Sequence, residues 1–222
     1  VPIENLLEGT IRESLDNILR LDLKILAEFD IPIHHCLAKH HDTLEINVIT
    51  SNHHAINQCS EYLNEHYSGI RLKEVESTGE AMRLVFEKEV ENSAAIGHIY
   101  AAEFYGLETI AVNIENNHDN KTRFVVVGKN GSNRKGTKTS ILVTPNKDRK
   151  GLLHTMSGEF ANRNINLEKI ESRPTEKKMG EYVFYLDLTG DKNDQNIKEA
   201  VEALRKYCDV KLIGSYPHLD LN

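Results

Sequence analysis

Lys129-Asn130-Gly131-Ser132-Asn133-Arg134-Lys135-Gly136 divides two stretches of different pattern. With two glycines and no aliphatic residue it has nothing to bury, so it reads as a linker over residues 129–137. Its cations, with Lys138, Lys147, Arg149 and Lys150 beyond, lie among glycines and polar residues and read as a solvated segment. Downstream, Lys138 to Thr144 reads as a strand, Gly151 to Asn162 as a helix and Asn166 to Arg173 as a strand. Lys177-Lys178-Met179-Gly180 then reads as a hairpin turn into a strand from Glu181 to Leu188. Gln195 to Tyr207 shows Ile197, Ala200, Val201 and Leu204 on one helical face, and Val210 to Tyr216 closes the set. This βαββαβ order predicts a ferredoxin-like sandwich over 138–222, four strands covered on one face by two helices. Such a sheet leaves its other face and its edges open, which predicts a homodimer or homotetramer.

Upstream, residues 1–128 alternate between helix and strand. Ile11, Leu15, Ile18 and Leu19 fall at helical spacing within 8–20. Ile31 to Ala38 and Thr43 to Thr50 read as strands, the second alternating Leu44, Ile46 and Val48 with polar neighbours. A helix over 53–66 and a strand from Ile70 to Val75 follow. Ser77-Thr78-Gly79-Glu80 has the form of a capping box before Ala81 to Phe86. Ala94 to Ile96, a helix ending at Gly106, and strands from Thr109 to Ile114 and Arg123 to Val127 complete an α/β lobe.

The chain has 222 residues, 39% hydrophobic and 27% charged, as in an ordinary globular protein, with a net charge of −7. That excess argues against a nucleic-acid or anionic-membrane partner, because both need a basic face. No apolar run approaches the roughly 20 residues of a membrane span. The opening Val1-Pro2-Ile3-Glu4-Asn5 lacks the basic and apolar regions of a signal peptide. Cys36, Cys59 and Cys208 are odd in number and widely separated, so reduced thiols and a cytoplasmic location are expected. The doublets His34-His35, His40-His41 and His53-His54 make poor chelates, because neighbours on a strand face opposite sides, and no metal site is expected. Gly128 to Ser132 fails the spacing of a phosphate-binding loop. Cys59 reads as a buried, inert thiol.

Several short segments are more specific than these patterns. Asn166-Leu167-Glu168-Lys169-Ile170-Glu171-Ser172-Arg173-Pro174 resembles the Glu-Ser-Arg-Pro motif in the ACT domain of prephenate dehydratases. Gly151-Leu152-Leu153-His154 stands where that family has its glycine motif. Val1-Pro2-Ile3-Glu4-Asn5 resembles the family's Pro-Ile-Glu-Asn segment, and Ser51 with Gln58-Cys59 its Ser-His-Pro and Gln-Cys segment. Ala94-Ala95-Ile96 and Tyr105-Gly106-Leu107 follow in family order, and Asn120, Thr122, Arg123 and Phe124 fit its Asn-x-Thr-Arg-Phe motif.

The resemblance implies a periplasmic-binding-protein-like (type II) catalytic domain of two lobes with its active site in a cleft, followed by an ACT regulatory domain. It implies loss of water and carbon dioxide from prephenate to give phenylpyruvate, without metal or cofactor, and phenylalanine as effector. Thr122 is then the catalytic proton donor. Asn5, Ser51 and Gln58 orient substrate by neutral hydrogen bonds, with Glu4 supporting Asn5. Arg123 is either a carboxylate clamp or a structural ion pair, because on a strand it points away from Thr122. Gly151, Leu152, Leu153, Asn166, Glu171, Ser172 and Arg173 form the expected effector site, the leucines as an apolar wall. On its own, Gly151 opening a helix lets a ligand's charged groups approach main-chain donors.

The family also has a βα region with a Gly-Thr-Phe/Tyr motif ahead of Pro-Ile-Glu-Asn, so the catalytic domain reads as incomplete at its N-terminus. Leu6 stands where a hydroxyl is common, Lys150 where proline often is, and Leu152 where alanine is usual. Two other readings stay open: a non-catalytic amino-acid-binding ACT protein, and an arogenate dehydratase.

Overall fold

The computed structural model describes residues 1–147, 149–175 and 182–221. The first elements are β1 (Pro2–Asn5), β2 (Gly9–Thr10), α1 (Arg12–Arg20) and β3 (Lys24–Pro32). Next come β4 (Cys36–Lys39), β5 (Val48–Ser51), α2 (His53–Gln58), α3 (Ser60–His66), β6 (Arg71–Glu74) and α4 (Thr78–Phe86). They are followed by β7 (Ser93–Gly97), α5 (Ile99–Phe104), β8 (Glu108–Val112) and β9 (Lys121–Gly128). The rest of the chain forms β10 (Lys138–Pro145), α6 (Leu152–Ala161), β11 (Leu167–Pro174), β12 (Tyr182–Thr189), α7 (Gln195–Arg205) and β13 (Cys208–Tyr216). Two compact units result: Val1–Ile31 with Thr122–Asn222, and Pro32–Lys121. The stretch expected as an interdomain linker thus runs inside the first unit, because strands on both sides of it enter one sheet.

That sheet has the order β11-β12-β10-β13-β3-β9-β1-β2. Within it β10 pairs antiparallel with β12 and β13, and β11 with β12, giving the expected four-stranded set. One face of these strands packs Ile141, Val143 and Leu186 against Met156, Phe160 and Leu204 of α6 and α7. Side chains alternate along strands, so Tyr185 leaves by the opposite face. There, with Ile213 and Tyr216, it meets Ile3, Leu15, Ile18, Ile25 and Val125. The face expected to be open for a second subunit is therefore covered by the chain's own N-terminal elements. β13 and β3 meet at a single parallel bridge, Gly214↔Ile25. A Cβ on Gly214 would lie 2.5 Å from the Ile25 carbonyl oxygen, so only glycine fits this approach.

The second unit has sheet order β6-β5-β7-β4-β8, with β5 parallel to β6 and β7 and β4 antiparallel to β7 and β8. Leu37, Ile49 and Ile96 point toward α2 and α3, packing on Ile56, Cys59 and Leu63. Cys36, Ala38 and Ala95 point the other way onto Ala81, Met82 and Val85 of α4.

Several expected elements differ. Residues 31–38 do not form one strand: β3 ends at Pro32, which has no N–H to donate, and β4 begins at Cys36. Most of β3, with Ile25 and Ala27 buried, lies ahead of the strand expected from Ile31. The strand over 43–50 shrinks to Val48–Ser51, because both partners, Arg71 of β6 and Ser93 of β7, begin opposite Val48. Leu44 is 96% exposed, so its alternation with Ile46 was coincidental. The 53–66 helix breaks at Cys59, whose φ of −109° and ψ of 13° leave the helical range. Half of the capping box forms: Ser77 Oγ accepts from Glu80 N at 3.0 Å, while the Glu80 carboxylate takes Arg83 instead. The predicted turn at 177–180 lies outside the described residues.

Candidate active site

Strand β1 pairs with β9 in the register Glu4↔Arg123 and Asn5↔Thr122. Neighbours on a strand face opposite sides, so this register makes two cross-strand pairs on two faces. On one face Asn5 Nδ2 donates to Thr122 Oγ1 at 3.0 Å, both residues being buried. The amide is oriented by its oxygen, which accepts from Leu7 N at 2.9 Å and Glu8 N at 3.2 Å as the chain turns toward β2. Since the amide nitrogen is the donor, the threonine oxygen is the acceptor. The hydroxyl proton of Thr122 is therefore not spent on Asn5.

On the other face Arg123 is held from several directions. Nε donates to Glu28 Oε2 at 2.7 Å, Nη1 to Asp187 Oδ2 at 2.7 Å and to Glu4 Oε2 at 3.4 Å, and Nη2 to the Tyr216 hydroxyl at 3.1 Å. Burial disfavours the charge, yet the carboxylates of Asp187 and Glu28 hold the guanidinium above its ordinary pKa. Of the two readings of Arg123, the geometry is that of an internal ion pair: its fork is already filled by protein. Glu4, next to Asn5 on β1, points to the Arg123 face, and its other oxygen accepts from Lys169 Nζ at 2.6 Å. Glu28 also takes Lys138 Nζ at 2.8 Å.

In the second unit, Ser51 is fully buried and its hydroxyl donates to the Ile96 carbonyl at 2.8 Å. Just beyond it, the Asn52 side chain caps α2 by accepting from Ala55 N at 2.7 Å. Gln58 closes that helix, and its Oε1 lies 2.9 Å from His35 Nε2. His35 N donates to Glu115 Oε2 at 2.8 Å, and the rings of His34 and His118 lie 2.8 and 3.1 Å from Glu115 Oε1. Burial raises the Glu115 pKa, but these hydrogen bonds outweigh it and leave the carboxyl below its ordinary range. Cys59 is fully buried, and burial pushes its thiol up to about 12.

The segments expected to bind an effector lie at the start of α6 and along β11. Gly151 caps α6 in the left-handed region at φ 75°, a conformation that favours glycine. Leu152 packs into the core, whereas Leu153 is 47% exposed. Successive helical residues diverge by about 100°, so the two leucines do not form one wall. Asn166 precedes β11 and accepts from Thr189 N through its carbonyl. On β11, Glu171 accepts from Thr10 Oγ1 at 3.0 Å and Arg173 pairs with Asp16, while Ser172, between them, is exposed.

Two family models match the chain, prephenate dehydratase over residues 1–132 and ACT domain over 140–206. The chain belongs to the prephenate dehydratase family. A prephenate dehydratase from Methanocaldococcus jannaschii is 39% identical over 225 residues, 99% of this chain and 81% of the relative. A bifunctional chorismate mutase/prephenate dehydratase from Aquifex aeolicus is 38% identical over 98% of this chain, which spans 60% of that protein. Among solved structures, a prephenate dehydratase from Arthrobacter aurescens in complex with L-Phe superposes with a TM-score of 0.87 at 33% identity. It covers 98% of this chain and 74% of its own. Membership makes this an enzyme of the prephenate dehydratase class with an ACT domain at residues 140–206.

Glu28, Asp187 and Tyr216 are the partners of Arg123 that the sequence does not disclose. Each stands in an apolar or mixed run, and only the fold supplies its partner. Among the described residues no helix is long and apolar enough to cross a membrane.

Proposed function

We propose that this chain converts prephenate to phenylpyruvate, water and carbon dioxide. The carrying observation is the Asn5–Thr122 hydrogen bond, which leaves an oriented threonine hydroxyl with its proton available. In the reaction the bond to the departing carboxyl breaks, and its electron pair moves through the ring to make it aromatic. The carbon–oxygen bond to the ring hydroxyl breaks in the same sense, and the leaving oxygen takes a proton to become water. Thr122 supplies that proton and regains one from solvent. A free threonine hydroxyl is a weak acid, so the contribution comes from alignment by Asn5. Ser51 and Gln58 are assigned neutral hydrogen bonds to substrate, and Arg123 the role of an internal support.

The ACT domain is proposed to bind phenylalanine through Gly151 and the segment from Asn166 to Arg173. The solved complex of the Arthrobacter aurescens relative with L-Phe supports this ligand. Strand β11 ends the sheet and has no partner on its outer edge among the described residues, which supports association of copies there. A cytoplasmic location fits three buried free thiols.

Phenylpyruvate formation by the full-length protein, measured with prephenate and with arogenate, tests the assignment. Turnover of prephenate that is lost in Thr122→Val supports it; no turnover of prephenate overturns it. Calorimetric titration with phenylalanine tests the ACT assignment, which falls if no heat of binding appears.

A further inference from the structure

Resting on the assignment of Thr122, we propose that Asp187 is a positioning residue for that hydroxyl, acting through Arg123 and strand β9. Asp187 lies on β12, in the ACT half of the chain, and is fully buried. Its Oδ2 accepts from Arg123 Nη1 at 2.7 Å and its Oδ1 from Ser140 Oγ. Ser140 gives its proton to Asp187, so its oxygen is an acceptor for the Tyr185 and Tyr216 hydroxyls at 3.0 and 2.6 Å. Tyr216 in turn accepts from Arg123 Nη2. Every donor in this ring has one acceptor, and reversing any bond leaves a buried group unmatched.

The charges make the arrangement rigid. Glu28 shares its charge between Arg123 and Lys138, whereas Arg123 is the one cation paired with Asp187 among the described residues. A buried carboxylate without its cation is strongly disfavoured, so Arg123 cannot leave without a large cost. Arg123 is the residue after Thr122 and points through the opposite face, so fixing its side chain fixes the rotation of the strand. That rotation sets where the Thr122 hydroxyl lies relative to Asn5. A displacement of about 1 Å at such a group changes rates by orders of magnitude. The ACT sheet thus contributes a fixed point beneath the catalytic strand, and Ser140 and Tyr216 keep that point from turning.

The test is steady-state kinetics with prephenate, alongside thermal melts, on the full-length protein and four variants. Asp187→Asn should lower kcat about tenfold or more with KM within about twofold. Ser140→Ala, which keeps the ion pair but frees the carboxylate to turn, should lower kcat by about two- to fivefold without loss of fold. Ile197→Ala, a cavity in the core beneath α7, should lower the melting temperature and leave kcat unchanged. Wild-type kcat in Asp187→Asn overturns the proposal, as does a fall no greater than in Ile197→Ala. If Asp187→Asn does not fold, Ser140→Ala decides: a reduced kcat at unchanged KM sustains the proposal and a wild-type kcat overturns it. Thr122→Val separates the two levels. Activity retained in Thr122→Val removes the assignment of the hydroxyl itself, whereas activity lost there but kept in Asp187→Asn removes only the positioning role.

Discussion

Asn5 and Thr122, 117 residues apart in sequence, meet side by side on β1 and β9 with the asparagine amide donating to the threonine oxygen at 3.0 Å. The backbone N–H groups of Leu7 and Glu8 hold the amide oxygen, so the amide cannot rotate to become an acceptor without losing both. The result is a hydroxyl with a fixed oxygen and a proton directed elsewhere.

Thr122→Val retains the shape of the side chain and removes the proton. It is expected to lower kcat by about 10²–10⁴, the usual range for a positioned proton donor, with little change in KM. Asn5→Ala leaves the hydroxyl but removes its orientation, and a smaller loss of about tenfold is expected, equivalent to roughly 1.4 kcal/mol. Stopped-time assays of phenylpyruvate on both purified variants check the order. Equal losses would show that Asn5 does more than orient Thr122.

Glu28 carries the next prediction. It is 2% exposed and lies between Arg123 and Lys138. Glu28→Gln keeps the volume and removes the charge, leaving two cations short of a buried partner. Breaking a buried pair from one side typically costs about 3–5 kcal/mol. Denaturant unfolding should show a fall in unfolding free energy of that order. A change below about 1 kcal/mol would place the balance of charge on Asp187 and Glu4 instead.

Much of this site was legible before the fold was known, but unevenly. Thr122 and Arg123 on opposite faces follow from strand geometry alone, and the register bears this out. The βαββαβ order was readable because each apolar period is long and bounded by glycine or polar turns. What covers the open face of that sheet was not, because α1 shows Leu15 and Ile18 as an ordinary amphipathic stripe with no sign of its partner. The same holds for Asp187: within Tyr185-Leu186-Asp187-Leu188 it looks like a solvent-facing strand residue. Only the arrival of Arg123 from β9 explains a carboxylate with no exposed surface. Leu44 shows the converse error, a strand-like alternation that no neighbouring strand reaches.

The cysteines should be chemically silent in the native state. Burial pushes Cys59 up to about 12 and Cys36 up to about 11, and raises Cys208 as well. The thiolate is the reactive form, so at pH 8 almost none is present. A disulfide-exchange reagent should label all three only after denaturant is added, and activity should survive exposure to the reagent. Rapid labelling of Cys59 in the folded protein would contradict its burial.

Glu115 predicts the acid limit of the second unit. The His35 N–H and the rings of His34 and His118 stabilise its ionised form against burial, so its folded pKa lies below the unfolded value of about 4.3. A depressed carboxyl stabilises the fold fully above the unfolded pKa and loses that contribution as pH falls through the folded one. Melting temperature should therefore be insensitive to this group near pH 7 and decline below about pH 4. Glu115→Gln cannot ionise, so it should lower the melting temperature at pH 7 and approach the parent protein as the pH falls toward 3. Melts across pH 3 to 7 check the convergence. Parallel curves for the two proteins would mean that the carboxylate is not the group tying residues 34–35 to residues 115–118.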